Sequence, residues 1–127
     1  MGGLEYLARN LAVLYESDPQ HAFQLAAGNA LATFPPGSLL QIAVAAANGQ
    51  IVYSSLTPSD GLQTNAVSIE DRAHFQAHTL NAGQRIYISR PTLGRLSGQW
   101  SVQMSYPVER QGRFGGVVVL SVNPEYL

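Results

Sequence analysis

The sequence predicts a single α+β domain: a central antiparallel sheet of five strands, N-terminal helices, and a helix and loop covering one sheet face. Three observations carry that expectation. Apolar residues recur with helical spacing from Leu4 to Phe34. Near the other end, Trp100, Val102, Met104, Tyr106 and Val108 alternate with Ser101, Gln103, Ser105 and Pro107, the period of a strand. Between these regions Asn48-Gly49 separates two apolar runs, a strong hairpin signal because both residues tolerate the backbone of a tight turn. Helices gathered before and between antiparallel strands, without βαβ alternation, give the α+β class.

The 127 residues suit one domain with a core of its own, 1–127, comprising an N-terminal helix over about 4–16 and a sheet region over about 38–123. A hydrophobic fraction of 46% against 12% charged residues excludes a disordered chain. Net charge is −1, so no basic footprint recommends nucleic acid. All seven cations are arginine, a side chain suited to planar anions. Without cysteine there is neither a disulfide framework nor a thiolate nucleophile. No apolar run approaches the ~20 residues of a membrane helix, and an amphipathic helix follows Met1-Gly2-Gly3 at once, so no signal peptide is read here.

In chain order, Leu4, Leu7, Leu11 and Leu14 form a narrow stripe, either a two-helix seam or the inner face of a helix on its own core. Ser17-Asp18-Pro19 breaks the helix, and Phe23, Ala26, Ala27, Ala30, Leu31 and Phe34 trace a second, ended by Pro35-Pro36-Gly37. Leu39 to Ala47 and Ile51-Val52-Tyr53 are the strands of the Asn48-Gly49 hairpin. From Leu56 to Asn65 a loop rich in small polar residues is long enough to fold over the sheet. Ser68, three residues before Asp71, predicts a helix start, with Asn81-Ala82-Gly83 as its stop. Arg85 to Arg90 reads as a strand closed by Pro91. Gln111-Gly112 then turns the long strand from Trp100 into the apolar Phe114 to Val122, which reads as a central strand covered on both faces.

The stretch from Val67 to Pro91 is where a ligand is expected, because it combines ionisable groups, a short helix and a strand. A helix there aligns Asp71, Phe75 and His78 on one face, with Arg72 one step round. Arg72 and Arg90 are read as holding one carboxylate by charge-assisted hydrogen bonds. His78 and Asp71 orient the polar remainder, and Phe75 and Trp100 supply apolar walls, provided that the cover lies over the face carrying Trp100, Met104 and Tyr106. Asp71 as a first-turn acid and Trp100 as ordinary core are the competing structural readings. His74 and His78 stand four apart, a spacing that serves a metal on a helix, but the HExxH pattern is missing and no metal or cofactor is expected. No GxSxG, phosphate-binding loop or GxGxxG supports catalysis.

Several of these residues also carry a family resemblance. Asp71-Arg72-Ala73-His74-Phe75, His78, Ile88-Ser89-Arg90-Pro91, Gly94-Arg95-Leu96-Ser97-Gly98-Gln99-Trp100, Gly112 to Val119 and Asn123-Pro124-Glu125-Tyr126-Leu127 together resemble the Cache (PAS-like) extracytoplasmic sensor domains. Such domains occur in membrane-bound diguanylate cyclases, histidine kinases and chemoreceptors. The resemblance implies a PAS-like sheet, a pocket under a helix-and-loop cover, and a periplasmic location in an inner-membrane protein. It also implies membrane helices on either side of the domain. The family's Asp-Arg plus aromatic pattern falls on Asp71, Arg72 and Phe75, and its strand-entry Trp on Trp100. His74 departs from it, an aromatic being usual there, and the longer Arg-Trp-Tyr signature of the amino-acid-binding subset is not found. The expected partner is a small organic acid or amino acid, with a homodimer through the N-terminal helix as a further expectation and a ligand-free dimerisation module as the alternative.

Overall fold

The structure, a computed structural model, describes residues 2–56, 67–80, 85–95 and 98–127. Helix α1 (Gly2–Ser17) and helix α2 (Ala22–Thr33) precede the hairpin of β1 (Leu39–Ala46) and β2 (Ile51–Ser54). Helix α3 (Ala73–Leu80), the short strands β3 (Tyr87–Ile88) and β4 (Thr92–Leu93), and the long strands β5 (Trp100–Arg110) and β6 (Arg113–Val122) follow. The sheet runs β2-β1-β6-β5-β3, antiparallel throughout, with β4 paired to β5 beside β3. The predicted α+β class and the central place of the last hairpin are therefore observed; β4 is a sixth strand that the sequence did not announce.

The turns follow from local chemistry. At Gln111-Gly112 both residues adopt positive φ, 53° and 75°, the mirror-image turn whose twist matches the flanking strands. At Asn48-Gly49 the Asn48 side chain accepts the Gln50 N–H at 3.0 Å, and Gly49 takes φ 89°. That glycine also lets the turn meet the cover: a Cβ on it would lie 2.7 Å from the Glu70 Cβ, while its carbonyl accepts the Ile69 N–H at 2.8 Å.

The alternation of β5 sorts its side chains between two unlike faces. Val102, Met104 and Val108 join Ile42, Val44, Val118, Leu120 and Val122 under α1 and α2, whose Ala8, Leu11, Ala12, Phe23 and Ala27 complete a dry core. Phe23 sits edge-on between Tyr15 and Tyr53, 5.1 Å from each ring, contacts worth ~0.5–1.5 kcal/mol apiece. The leucine stripe is spent on this core: Leu11 is fully buried, and Leu4, Leu7 and Leu14 pack against it. What α1 presents outward is Tyr6 and Val13, 62% and 54% exposed and seven residues apart.

The cover lies on the opposite face, and here two expectations are corrected. Helix α3 begins at Ala73, not after Ser68. The segment before it is held extended, because Ser68 bridges to Gln50 and Ile69 donates to Gly49. Ser68 does act as a local cap, accepting the Glu70 N–H at 3.2 Å, but Asp71 stays outside the helix. The cover also overlies Ser101, Gln103 and Ser105, not Trp100, Met104 and Tyr106. Strand β3 is shorter than predicted: at Ser89 the backbone N–H still donates to the Gln103 carbonyl at 2.9 Å, but the Ser89 hydroxyl accepts the Gln103 N–H at 2.9 Å. Of the predicted loop from Leu56 to Asn65 all but Leu56 lies outside the described residues, as does the stop at Asn81-Ala82-Gly83.

Candidate ligand-binding site

The covered face of the sheet is divided. At one end Ala43, Ala45, Val117 and Val119 meet Ile51, Ile69 and Phe75, and Phe75 packs edge-on to Phe114 at 5.6 Å. At the other end the strands present polar side chains, all buried: Gln41, Ser101, Gln103, Ser105 and Ser121. Buried polar atoms are tolerated only when bonded. Gln103 donates to Ser101 Oγ at 2.7 Å and accepts from Ser121 Oγ at 2.7 Å, while Gln41 donates to Ser54 Oγ at 2.9 Å. Such a layer is costly to place in a core and useful as the floor of a binding site.

Above this floor is an inner cavity of about 30 Å³ lined by Gln41, Gln103, Ser121, Arg72, His74 and Arg95, among others. That space holds about two waters. A wider outer depression, about 290 Å³, lies along Arg72, His74, Tyr87, Ser89, Arg90 and Thr92. Arg72, His74 and Thr92 border both.

Arg72 is half-buried between them. Its Nη1 donates to Thr92 Oγ1 at 2.9 Å and its Nη2 to the Leu93 carbonyl at 3.0 Å, so β4 fixes the plane of the guanidinium. Its remaining N–H groups have no partner among the described residues. Arg95 is committed elsewhere: it donates from both terminal nitrogens to Asp71, at 2.6 and 2.9 Å, and to the Ser68 carbonyl at 2.8 Å. This fork holds the Asp71 carboxyl down at about 2, the hydrogen bonds from Arg95 being the chief cause.

His74 is 6% exposed and its ring makes no hydrogen bond with the described residues. No fully buried side-chain nitrogen or oxygen among those residues lacks a partner, so the ring nitrogens must reach the cavity space. Burial first, then the charges of Arg72, His78 and Arg95, holds its pKa down at about 4. His78 is placed differently. Its Nε2 lies 2.9 Å from Ser105 Oγ, and that hydroxyl gives its single proton to the His74 carbonyl at 2.7 Å, so Nε2 carries a proton and donates. His78 thus pins α3 to β5.

The sequence-predicted residues separate accordingly. Arg72 and Arg90 border the same outer depression, Arg90 exposed at its rim. Asp71 is turned to Arg95, Phe75 to the apolar end of the cover, and His78 to Ser105. Trp100 is 65% exposed and lines neither cavity, because it shares the parity of Val102, Met104 and Val108, which face the helices. Gln41, Gln103, Ser121, Arg95 and His74 were not among the expected ligand-binding residues, His74 having been weighed with His78 as a metal pair and noted as a departure from the family pattern. Among the described residues, no group of acidic, histidine or cysteine side chains is arranged to hold a metal.

No protein-family model and no curated protein matches the sequence. Solved structures do. The extracellular domain of rpHK1S-Z16, assigned as a histidine kinase, is 26% identical with a TM-score of 0.81, over 98% of this chain and 50% of that one. The ligand-binding domain of the Pseudomonas aeruginosa amino-acid chemoreceptor PctC, in complex with GABA, gives 18% and 0.69 over 98% and 57%. That of the Pseudomonas fluorescens chemoreceptor CtaA, in complex with L-serine, gives 15% and 0.73 over 98% and 52%. The chain spans about half the length of these structures. No helix among the described residues is long and apolar enough to cross a membrane. In fold the chain is similar to the extracellular and ligand-binding domains of these histidine kinase and chemoreceptor proteins, consistent with the Cache resemblance.

Proposed function

We propose that this domain is the periplasmic ligand-sensing part of a bacterial transmembrane signalling protein. It binds a small anionic or zwitterionic metabolite between the sheet and its cover, and passes the change through α1 to a cytoplasmic output, a diguanylate cyclase or histidine kinase. The domain itself is not an enzyme and needs no cofactor. A ligand signals by preferring one arrangement of the domain over another. The observation that carries this reading is Arg72: a half-buried guanidinium, oriented by Thr92 and Leu93, with donors left over beside a buried polar floor. The small molecules in the chemoreceptor structures support it.

The test is thermal-shift screening of organic acids and amino acids against the parent and Arg72→Ala. Hydrogen bonds to a charged group contribute ~1.5–3 kcal/mol, so a hit should bind the variant about 10- to 100-fold more weakly. Equal stabilisation of both proteins would remove Arg72 from the site.

A second reading, a ligand-free dimerisation module of the same fold, draws on the small inner cavity and on the exposed Tyr6 and Val13 of α1. Sedimentation decides it. A dimer dissolved by Tyr6→Glu with Val13→Glu, and no stabilising compound, carries this reading; a monomeric parent that binds a compound dismisses it. Leu11 is unsuitable for the experiment, since a carboxylate there would enter the core.

A further inference from the structure

We propose that the cavity selects a short monocarboxylate whose second polar group is uncharged, a hydroxyl, keto or amide group, with the His74 imidazole as the hydrogen-bond partner of that group. This rests on the anion-binding reading above and narrows its two ligand classes to one.

The first support is the charge around the site. Arg72 and Arg95 border the inner cavity, Arg72 and Arg90 the outer depression, and no carboxylate borders either among the described residues. The nearby Asp71 has both oxygens engaged by Arg95. An α-ammonium group placed beside the bound carboxylate would surrender its water, find no anion among the described residues that border the cavities, and face a guanidinium. A hydroxyl at the same place incurs no such cost.

The second support is the state of the polar groups. Gln103 is satisfied at both ends of its amide, by Ser101 and Ser121, and the Gln41 amide donates to Ser54. The His74 ring is left open on this side of the sheet, buried and without a partner among the described residues. Burial and the neighbouring arginines keep it neutral, so it offers one donor and one acceptor nitrogen. A hydroxyl, itself donor and acceptor, complements either tautomer. The inner cavity of about 30 Å³ limits the guest to a few heavy atoms beyond those lying against Arg72.

Three probes of equal carbon number separate the possibilities: L-lactate, propionate and L-alanine, titrated calorimetrically into the domain at pH 7.5. L-lactate should bind about tenfold more tightly than propionate, the gain of one hydrogen bond in a closed site, and more tightly still than L-alanine. His74→Leu should bring L-lactate down to the level of propionate without changing propionate. His74→Gln, which keeps a donor and an acceptor, should retain part of the preference, and it carries the test if the leucine variant does not fold. L-alanine binding as tightly as L-lactate would overturn the proposal, as would an unchanged lactate-to-propionate ratio in the His74 variants or no binding of L-lactate. If Arg72-dependent hits of another class then emerge from the wider screen, the anion-binding reading stands while this one falls.

Discussion

Replacing Gly116 by alanine is expected to lower the unfolding free energy by about 2–6 kcal/mol, through ~1–3 of backbone strain and ~1–3 of overpacking. Gly116 adopts φ 131°, a conformation L residues rarely take, and a Cβ there would run into the carbonyl of Ala45 on the neighbouring strand. The obstruction is backbone at the last pair of the β1–β6 ladder, Ala46 opposite Gly116, so no side chain can swing aside to relieve it. Gly116 also faces Val108 just before the register shift at Glu109, where β5 and β6 gain their irregularity. Denaturant midpoints of the parent and of G116A measure the effect directly. A loss below about 1 kcal/mol would show that the strands separate to accept a methyl group, and that the close approach is not a requirement of the fold.

The ligand-free domain should also lose stability as pH falls from about 6.5 to about 4, because of His74. The folded protein holds this imidazole at about 4, against 6.5 for a free histidine, by burying it among arginines. Between those values the unfolded chain binds a proton that the folded one refuses, so acid favours unfolding, and stability rises again with pH. The full displacement corresponds to roughly 3 kcal/mol at 1.36 kcal/mol per unit. His74→Gln should flatten that part of the profile while His21 and His78 remain in both proteins. Asp71 titrates lower, near 2, and does not intrude on the window. Identical slopes for parent and variant in urea unfolding at pH 7.5, 6 and 4.5 would show that the His74 ring is readily hydrated.

Elements whose signals are local were legible in the sequence. The Asn48-Gly49 and Gln111-Gly112 turns, the two N-terminal helices and the paired long strands each depend on neighbours a few residues away. The start of α3 was not legible, because it is set by Ile69 bonding to Gly49, twenty residues distant. Nor was the role of Asp71, which is decided by Arg95 across the cover. Choosing the wrong sheet face had a different origin: aromatic and thioether side chains drew attention to Trp100 and Met104, when the polar residues between them were the better signal. Ser101, Gln103 and Ser105 stand in a strand paired to the doubly covered β6, and hydroxyl and amide groups in such a position mark a face that is enclosed yet not dry.

The division of β5 between two faces has an evolutionary consequence. Residues of one parity hold the helices and those of the other form the polar face under the cover, where Gln103 lines the inner cavity, so exchanging Gln103 alters the cavity's chemistry while leaving the contacts on the helix side in place. Under the proposed function, a lineage can thus change what the cavity accepts at this position without renegotiating its architecture.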